Sequence, residues 1–125
     1  MKKRFAEDRQ YQLAFFEKLS GKCRDDMPTL LRLSELYLDS GKTVEALQVA
    51  VRAAILYPDC PGLHYVLACA FAISDQLQFA LDHLKIAVDL GYDDMRRIEK
   101  DQHLQALRHL AAFKAIVNSM QNGSV

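Results

Sequence analysis

The chain has few cysteines, few prolines and no net charge, and each shortage excludes something. Its 125 residues carry three cysteines, Cys23, Cys60 and Cys69. The count is odd and the spacings are unrelated, so no disulfide framework is written here. Reduced thiols in a cytoplasmic protein are the expectation, with Cys69 packed as a small apolar residue inside a helix. Sixteen basic residues match sixteen acidic ones. That balance argues against a general attraction to nucleic acid or to an anionic membrane. No apolar run approaches the ~20 residues of a membrane span. Tyr11 to Phe16 is too short and too interrupted for a signal-peptide core. The chain is therefore expected to be cytoplasmic, with no nucleic-acid partner and no membrane insertion. It has no low-complexity stretch and no proline-rich linker. Its length suits one domain spanning residues 1–125.

Catalytic signatures are missing as well. The four histidines, His64, His83, His103 and His109, form no HExxH, and no CxxC accompanies them. His103 and His109 lie six apart with Asp101 nearby. Without ligand spacing, the reading at every histidine is a surface or packing role, and no metal is expected. His64 is expected to pack at a hairpin interface with a ring nitrogen bonded to a neighbour. Gly21, Gly41, Gly62, Gly91 and Gly123 are isolated, so no phosphate-cradling loop is present. Ser34, Ser40 and Ser74 have no nucleophile motif around them. The adjacent carboxylates Asp25-Asp26 and Asp93-Asp94 fall at unit junctions, where an anion complements a helix N-terminus. The chain is read as a non-enzyme with no cofactor.

What is present is a repeat. Shifting the sequence by 34 residues lays Leu33 on Leu67, Tyr37 on Phe71, Ala46 on Ala80, Leu47 on Leu81 and Ala53 on Ala87. Residues 27–60 and 61–94 are thus two copies of one unit, a period that signals stacked supersecondary elements. Ser34, Ala46, Ala50, Ala53, Ala68, Ala80 and Ala87 sit where two helices must approach closely. Larger apolar residues recur three or four apart between them, as one buried helical stripe requires. Asp39-Ser40-Gly41 breaks the first unit and Ser74-Asp75-Gln76 the second. Pro28 and Pro61 fall near helix starts, and Pro58 stops the helix before it. The spacing predicts helices over residues 28–40, 44–56, 62–74 and 77–90.

Leu30, Leu33, Ser34, Tyr37, Gly41, Ala46, Ala50, Ala53 and Pro58 resemble the consensus of the tetratricopeptide repeat (TPR). In the second unit His64 takes the slot of a large apolar residue, Asp75 that of the glycine and Tyr92 that of the closing proline. The resemblance implies an all-α fold, a TPR-like solenoid of helical hairpins. From Gly91 onward the chain resembles the closing stretch of many bacterial TPR arrays, through Gly91, Tyr92, Asp93, Asp101, Leu104, Leu107 and Phe113, and residues 95–119 read as a C-terminal capping segment. Ile98, Leu104, Leu107, Leu110, Phe113 and Ile116 are expected to cover the last repeat. Arg96, Arg97, Lys100, Arg108 and Lys114 are expected to face solvent.

Residues 5–26 keep the repeat register backwards and read as an N-terminal capping half-repeat, a helix over residues 5–20 followed by Gly21. Leu13, Phe16 and Leu19 form the docking stripe. Tyr11, Ala14 and Phe15 form a second apolar edge. That edge either meets the neighbouring turn or offers a self-association surface through Tyr11 and Phe15.

In the TPR family the first helix of each hairpin lines a concave groove. Here the resemblance assigns that lining to Leu31, Glu35, Leu38, Tyr65, Cys69 and Ala72. Some TPR proteins clamp a chaperone's C-terminal carboxylate there with lysines and asparagines. The comparable places hold Leu31, Glu35, Tyr65 and Cys69, so that clamp is absent. A largely apolar groove suits a peptide with aliphatic anchors, with Tyr65 as the main contact. The expected function is protein or peptide binding, as an adaptor or small chaperone. The alternatives are a groove filled from both ends by the flanking helices, and a structural subunit of a homo-oligomer or larger assembly.

Overall fold

The structure is a computed structural model and describes residues 10–15, 17–18 and 26–122. Every regular element among these residues is helical. Residues 10–15 and 17–18 belong to α1. There follow α2 (Met27–Asp39), α3 (Thr43–Leu56), α4 (Pro61–Ile73), α5 (Leu77–Asp89), α6 (Met95–Lys100), a 3-10 helix (Gln102–Leu107) and α7 (Ala111–Asn122). The four central helices begin and end within one residue of the spans the apolar spacing predicts. No helix among the described residues is long and apolar enough to cross a membrane.

Local chemistry places the helix ends. Asp26 caps α2 by accepting the Thr29 N–H at 2.9 Å, and Pro28 occupies the first turn. Asp94 caps α6 and Asp101 caps the 3-10 helix in the same way. The two hairpin turns have one construction. Lys42 N–H returns to the Tyr37 carbonyl at 2.8 Å, and Gln76 N–H to the Phe71 carbonyl at 2.9 Å. The residue before each donor is left-handed: Gly41 at φ 78° and Asp75 at φ 62°. Asp75 therefore makes the glycine's turn with a side chain attached. A third turn of this kind closes α5, with Gly91 at φ 109° and Tyr92 N–H on the Ala87 carbonyl.

Packing follows the chain. α2 lies on α3, α3 on α4 and α4 on α5, while α2 also touches α4. Ser34, Ala46, Ala50, Ala53, Ala68, Ala80 and Ala87 are all fully buried, as close helix approach demands. Another close contact lies at Gly62, where an added Cβ would meet the Leu31 side chain at 3.1 Å. The main core runs from Leu13 to Ile116, with a satellite of Leu30, Ala53 and Leu63.

The described part of residues 5–26 packs against α2. Leu13 is buried, Gln12 accepts a hydrogen bond from Arg32, and Glu17 accepts one from the Tyr37 hydroxyl. The Phe16 side chain, Leu19 and Gly21 lie outside the described residues. At the other end Ile98, Leu104, Leu107, Phe113 and Ile116 are buried, and Leu110 is half-buried. Two of the cations assigned to solvent are not there. Arg108 turns back to donate to the carbonyls of Glu99 at 2.8 Å and Asp101 at 2.6 Å, satisfying groups the short α6 leaves unpaired. Arg97 enters the site described next.

Candidate functional site

Each first helix of a hairpin presents one apolar stripe to its partner helix and a second face beside it. On α4 that second face carries Tyr65, Cys69 and Ala72, four and then three residues apart, so one side of the helix holds all three. On α2 the same face carries Leu31, Glu35 and Leu38. These six are the residues assigned to the groove. They do not line an open surface. Leu38, Tyr65, Cys69 and Ala72 are buried, Tyr65 to 1 % exposure and Cys69 to none. Leu31 and Glu35 are half-buried.

The cover is the chain's own C-terminal segment. The 3-10 helix packs against α4 and carries Asp101 at its N-cap into the space a ligand would take. The Tyr65 hydroxyl donates to Asp101 Oδ2 at 2.6 Å. Tyr92 stacks on the Tyr65 ring with centroids 4.4 Å apart and planes at 4°. The Arg97 guanidinium lies 4.7 Å from the Tyr65 ring centroid. Of the two expectations, an open groove and one filled by the flanking segments, the second describes this face, which is covered by the C-terminal segment. Its apolar side chains leave water by packing against that segment.

A small charge network sits in this closure. Arg97 reaches Asp101 Oδ2 at 3.6 Å and Glu35 at 3.9 Å, while Arg32 approaches Glu35 at 4.0 Å. Burial pushes the Glu35 carboxyl up, against the pull of Arg97 and Arg32. Burial alone would raise Asp101 too. Hydrogen bonds to it from His103 and Tyr65 outweigh that and hold it well below the usual carboxylate range. Burial pushes the Tyr65 hydroxyl and the Cys69 thiol up, helped by Cys69 and then Asp101 at Tyr65 and by Asp101 at Cys69. Tyr92 is pushed up to about 12, again by burial first. A buried thiol that holds its proton is not a nucleophile.

His103 completes the cluster. Its Nδ1 lies 2.8 Å from Asp101 Oδ1, which raises the imidazole's affinity for a proton against the opposing effect of burial. The ring N–H is not aligned with that oxygen, and Nδ1 is buried with no aligned hydrogen-bond partner. Cys69 Sγ is 3.8 Å from Asp101 Oδ2. Spacing along the chain could not announce this group, because Cys69 belongs to the repeat and the other two to the segment beyond it.

His64 is where the sequence placed it. It is buried, and its Nε2 donates to the Pro58 carbonyl at 2.7 Å. That leaves Nδ1 to accept from His83 Nδ1 at 3.1 Å. Burial and the neighbouring His64 pull the His83 imidazole down.

The outer helices are apolar where water meets them. Val44, Val51 and Ile55 on α3 are exposed, and so are Phe79, Ile86 and Leu90 on α5. A groove of about 500 Å³ between α5 and α7 has Leu81, Val88 and Ile116 in its lining, with Asp82 and Lys85 among its polar groups. Tyr11 and Phe15 are 76 % and 55 % exposed, in keeping with a second edge on α1. The chain matches no family profile, no curated protein and no solved structure.

Proposed function

We propose that this chain is a non-enzymatic, TPR-type protein–protein interaction module, an adaptor or small chaperone of the cytoplasm. Its working surface is the outer face of the second helices rather than the groove. The observation that carries this reading is a pair of matched exposed stripes. Val44, Val51 and Ile55 follow one another at steps of seven and four, and Phe79, Ile86 and Leu90 repeat those steps on α5. Such spacing puts each triplet along one side of its helix, the form of surface that receives an amphipathic helix from a partner. The groove residues Tyr65 and Cys69 already have the chain's own Asp101 as a neighbour. A partner would have to break a core to reach them.

A second reading is favoured by Tyr11 and Phe15. Their exposure supports a structural subunit that pairs with a second copy through α1. One set of variants separates the two. Capture of a helical partner from the native proteome, with mass spectrometry, should fail for Ile55→Glu and Phe79→Glu and persist for Tyr11→Glu/Phe15→Glu. Light scattering should show all three with unchanged mass. A dimer that Tyr11→Glu/Phe15→Glu dissolves would transfer the proposal to the subunit reading. Normal capture by Ile55→Glu and Phe79→Glu would end the outer-face reading.

A further inference from the structure

The closure between α4 and the C-terminal segment brings three unlike metal-ligating groups together. Cys69 Sγ, an Asp101 carboxylate oxygen and a ring nitrogen of His103 lie within 4.8 Å of one another. We propose that these three residues form a binding site for a divalent transition-metal ion of zinc's class, which clasps the C-terminal segment to the second hairpin.

Thiolate, imidazole and carboxylate are the donor types zinc takes, at about 2.3, 2.0 and 2.1 Å respectively. Ligands on one tetrahedral ion at those lengths stand roughly 3.3–3.6 Å apart. Asp101 meets His103 Nδ1 at 2.8 Å through Oδ1 and Cys69 Sγ at 3.8 Å through Oδ2, so the carboxylate would turn to present one of its oxygens to the ion. His103 adds a local sign. Its Nδ1 is buried 2.8 Å from Asp101 Oδ1 without hydrogen-bond geometry to it. An ion would displace the ring proton to solvent and take the lone pair. The surroundings fit a held ligand as well. The Tyr65 hydroxyl and the His103 backbone N–H both donate to the Asp101 carboxylate and fix its orientation.

Arg97 works against the ion, since its guanidinium lies 3.6 Å from Asp101 Oδ2. It has another carboxylate within reach, Glu35 at 3.9 Å. Metal binding would release the Cys69 proton to solvent and leave Arg97 paired with Glu35. The site then consists of a thiolate and a carboxylate around a divalent ion, with the neutral imidazole as third ligand and water free to complete the tetrahedron. The site joins two pieces of backbone, α4 and the start of the 3-10 helix, and leaves one position of the ion to water. Its task is to tie those two pieces together.

Cobalt(II) is the probe, because a cobalt–thiolate bond absorbs in the near ultraviolet and reports the ligand directly. Metal-free full-length protein should bind one cobalt per chain with that absorption, and zinc should displace it. The Cys23→Ser/Cys60→Ser double variant, whose only thiol is Cys69, should keep the band. Cys69→Ser should abolish it, and His103→Gln should weaken binding by about tenfold or more. Arg97→Gln should tighten it, and His64→Gln should leave it unchanged. Absence of the band from the double variant overturns the proposal without any reliance on how Cys69→Ser folds. So does zinc binding that His64→Gln weakens and His103→Gln does not.

Discussion

At the scale of single residues, the histidine pair carries a pH dependence whose sign follows from its geometry. His64 donates through Nε2 to Pro58, so its Nδ1 offers a lone pair to the Nδ1–H of His83. His83 stacks between His64 and Phe71. Burial and His64 lower the His83 pKa from 6.5, with Asp82 opposing them. A base with a depressed folded pKa binds fewer protons folded than unfolded. Its contribution to stability is therefore complete above about pH 6.5 and is lost as pH falls through the folded value. His103, whose pKa is raised, responds in the opposite direction, and Asp101 responds only at lower pH, so the pair must be isolated by substitution. His83→Gln keeps a donor for His64 and removes the titration. Urea midpoints measured at pH 7.5 and 5.5 should fall more for the wild type than for His83→Gln. Equal falls would mean that the unfolded state and the fold bind this proton alike. The sequence showed His64 as a packed histidine with a bonded nitrogen, but not its partner, because 19 residues and a turn separate the two rings.

At the scale of elements, the hairpin turn is the clearest case of sequence dictating form. Three helix ends close with the same backbone return, and the left-handed residue is glycine in two of them. Gly41 has nothing within 4 Å of where a Cβ would stand. Any cost of Gly41→Ala is therefore backbone strain alone, about 1–2 kcal/mol for an L-residue in the left-handed well. Asp75 already bears part of that strain at φ 62°. Asp75→Gly should stabilise the fold by up to about 1 kcal/mol, offset in part by the entropy glycine loses on folding. Thermal unfolding should move the two variants in opposite directions. If both lower the melting temperature, Asp75 holds its turn by a side-chain contact that matters more than its φ. The helices themselves were legible for local reasons. Their apolar stripes, their alanines at close approach and their breakers all lie within a few residues of one another. The same locality failed at Arg97 and Arg108. Both sit where charge on a short terminal helix normally faces water, and both are drawn inward by carbonyl and carboxylate groups the helix pattern does not contain.

At the scale of the whole molecule, the chain folds back on its own repeats. The Tyr65–Asp101 contact joins residues 36 apart, and the Cys69–Asp101 contact residues 32 apart. The repeat frame ends before residue 101, so no periodic pattern pairs these positions. The face of α4 was legible from the spacing of Tyr65, Cys69 and Ala72; its occupant was not. This closure has a consequence for cooperativity. Stacked repeats are stabilised by nearest-neighbour contacts and can lose their ends one at a time. Here the terminal segment contributes Ile98, Leu104 and Leu107, all fully buried, to the same core as Leu33, Tyr65 and Leu84. Removing one of them should be felt by every helix in that core. Leu104→Ala deletes a fully buried side chain and should cost about 2–5 kcal/mol, depending on how far the site can collapse. That is a large part of the total stability of a domain this size. Unfolding should remain a single transition, with helicity and tyrosine absorbance changing together in wild type and variant. The tyrosine signal carries the argument in a Tyr11→Phe/Tyr37→Phe/Tyr57→Phe background, where only Tyr65 and Tyr92 remain to report the closure while helicity reports all the hairpins. Were the C-terminal segment a loosely docked cap, Leu104→Ala would shift the tyrosine transition and leave the helical one in place. The groove would then open without unfolding, Tyr65 would become available to a ligand, and the case for the outer face over the groove would weaken.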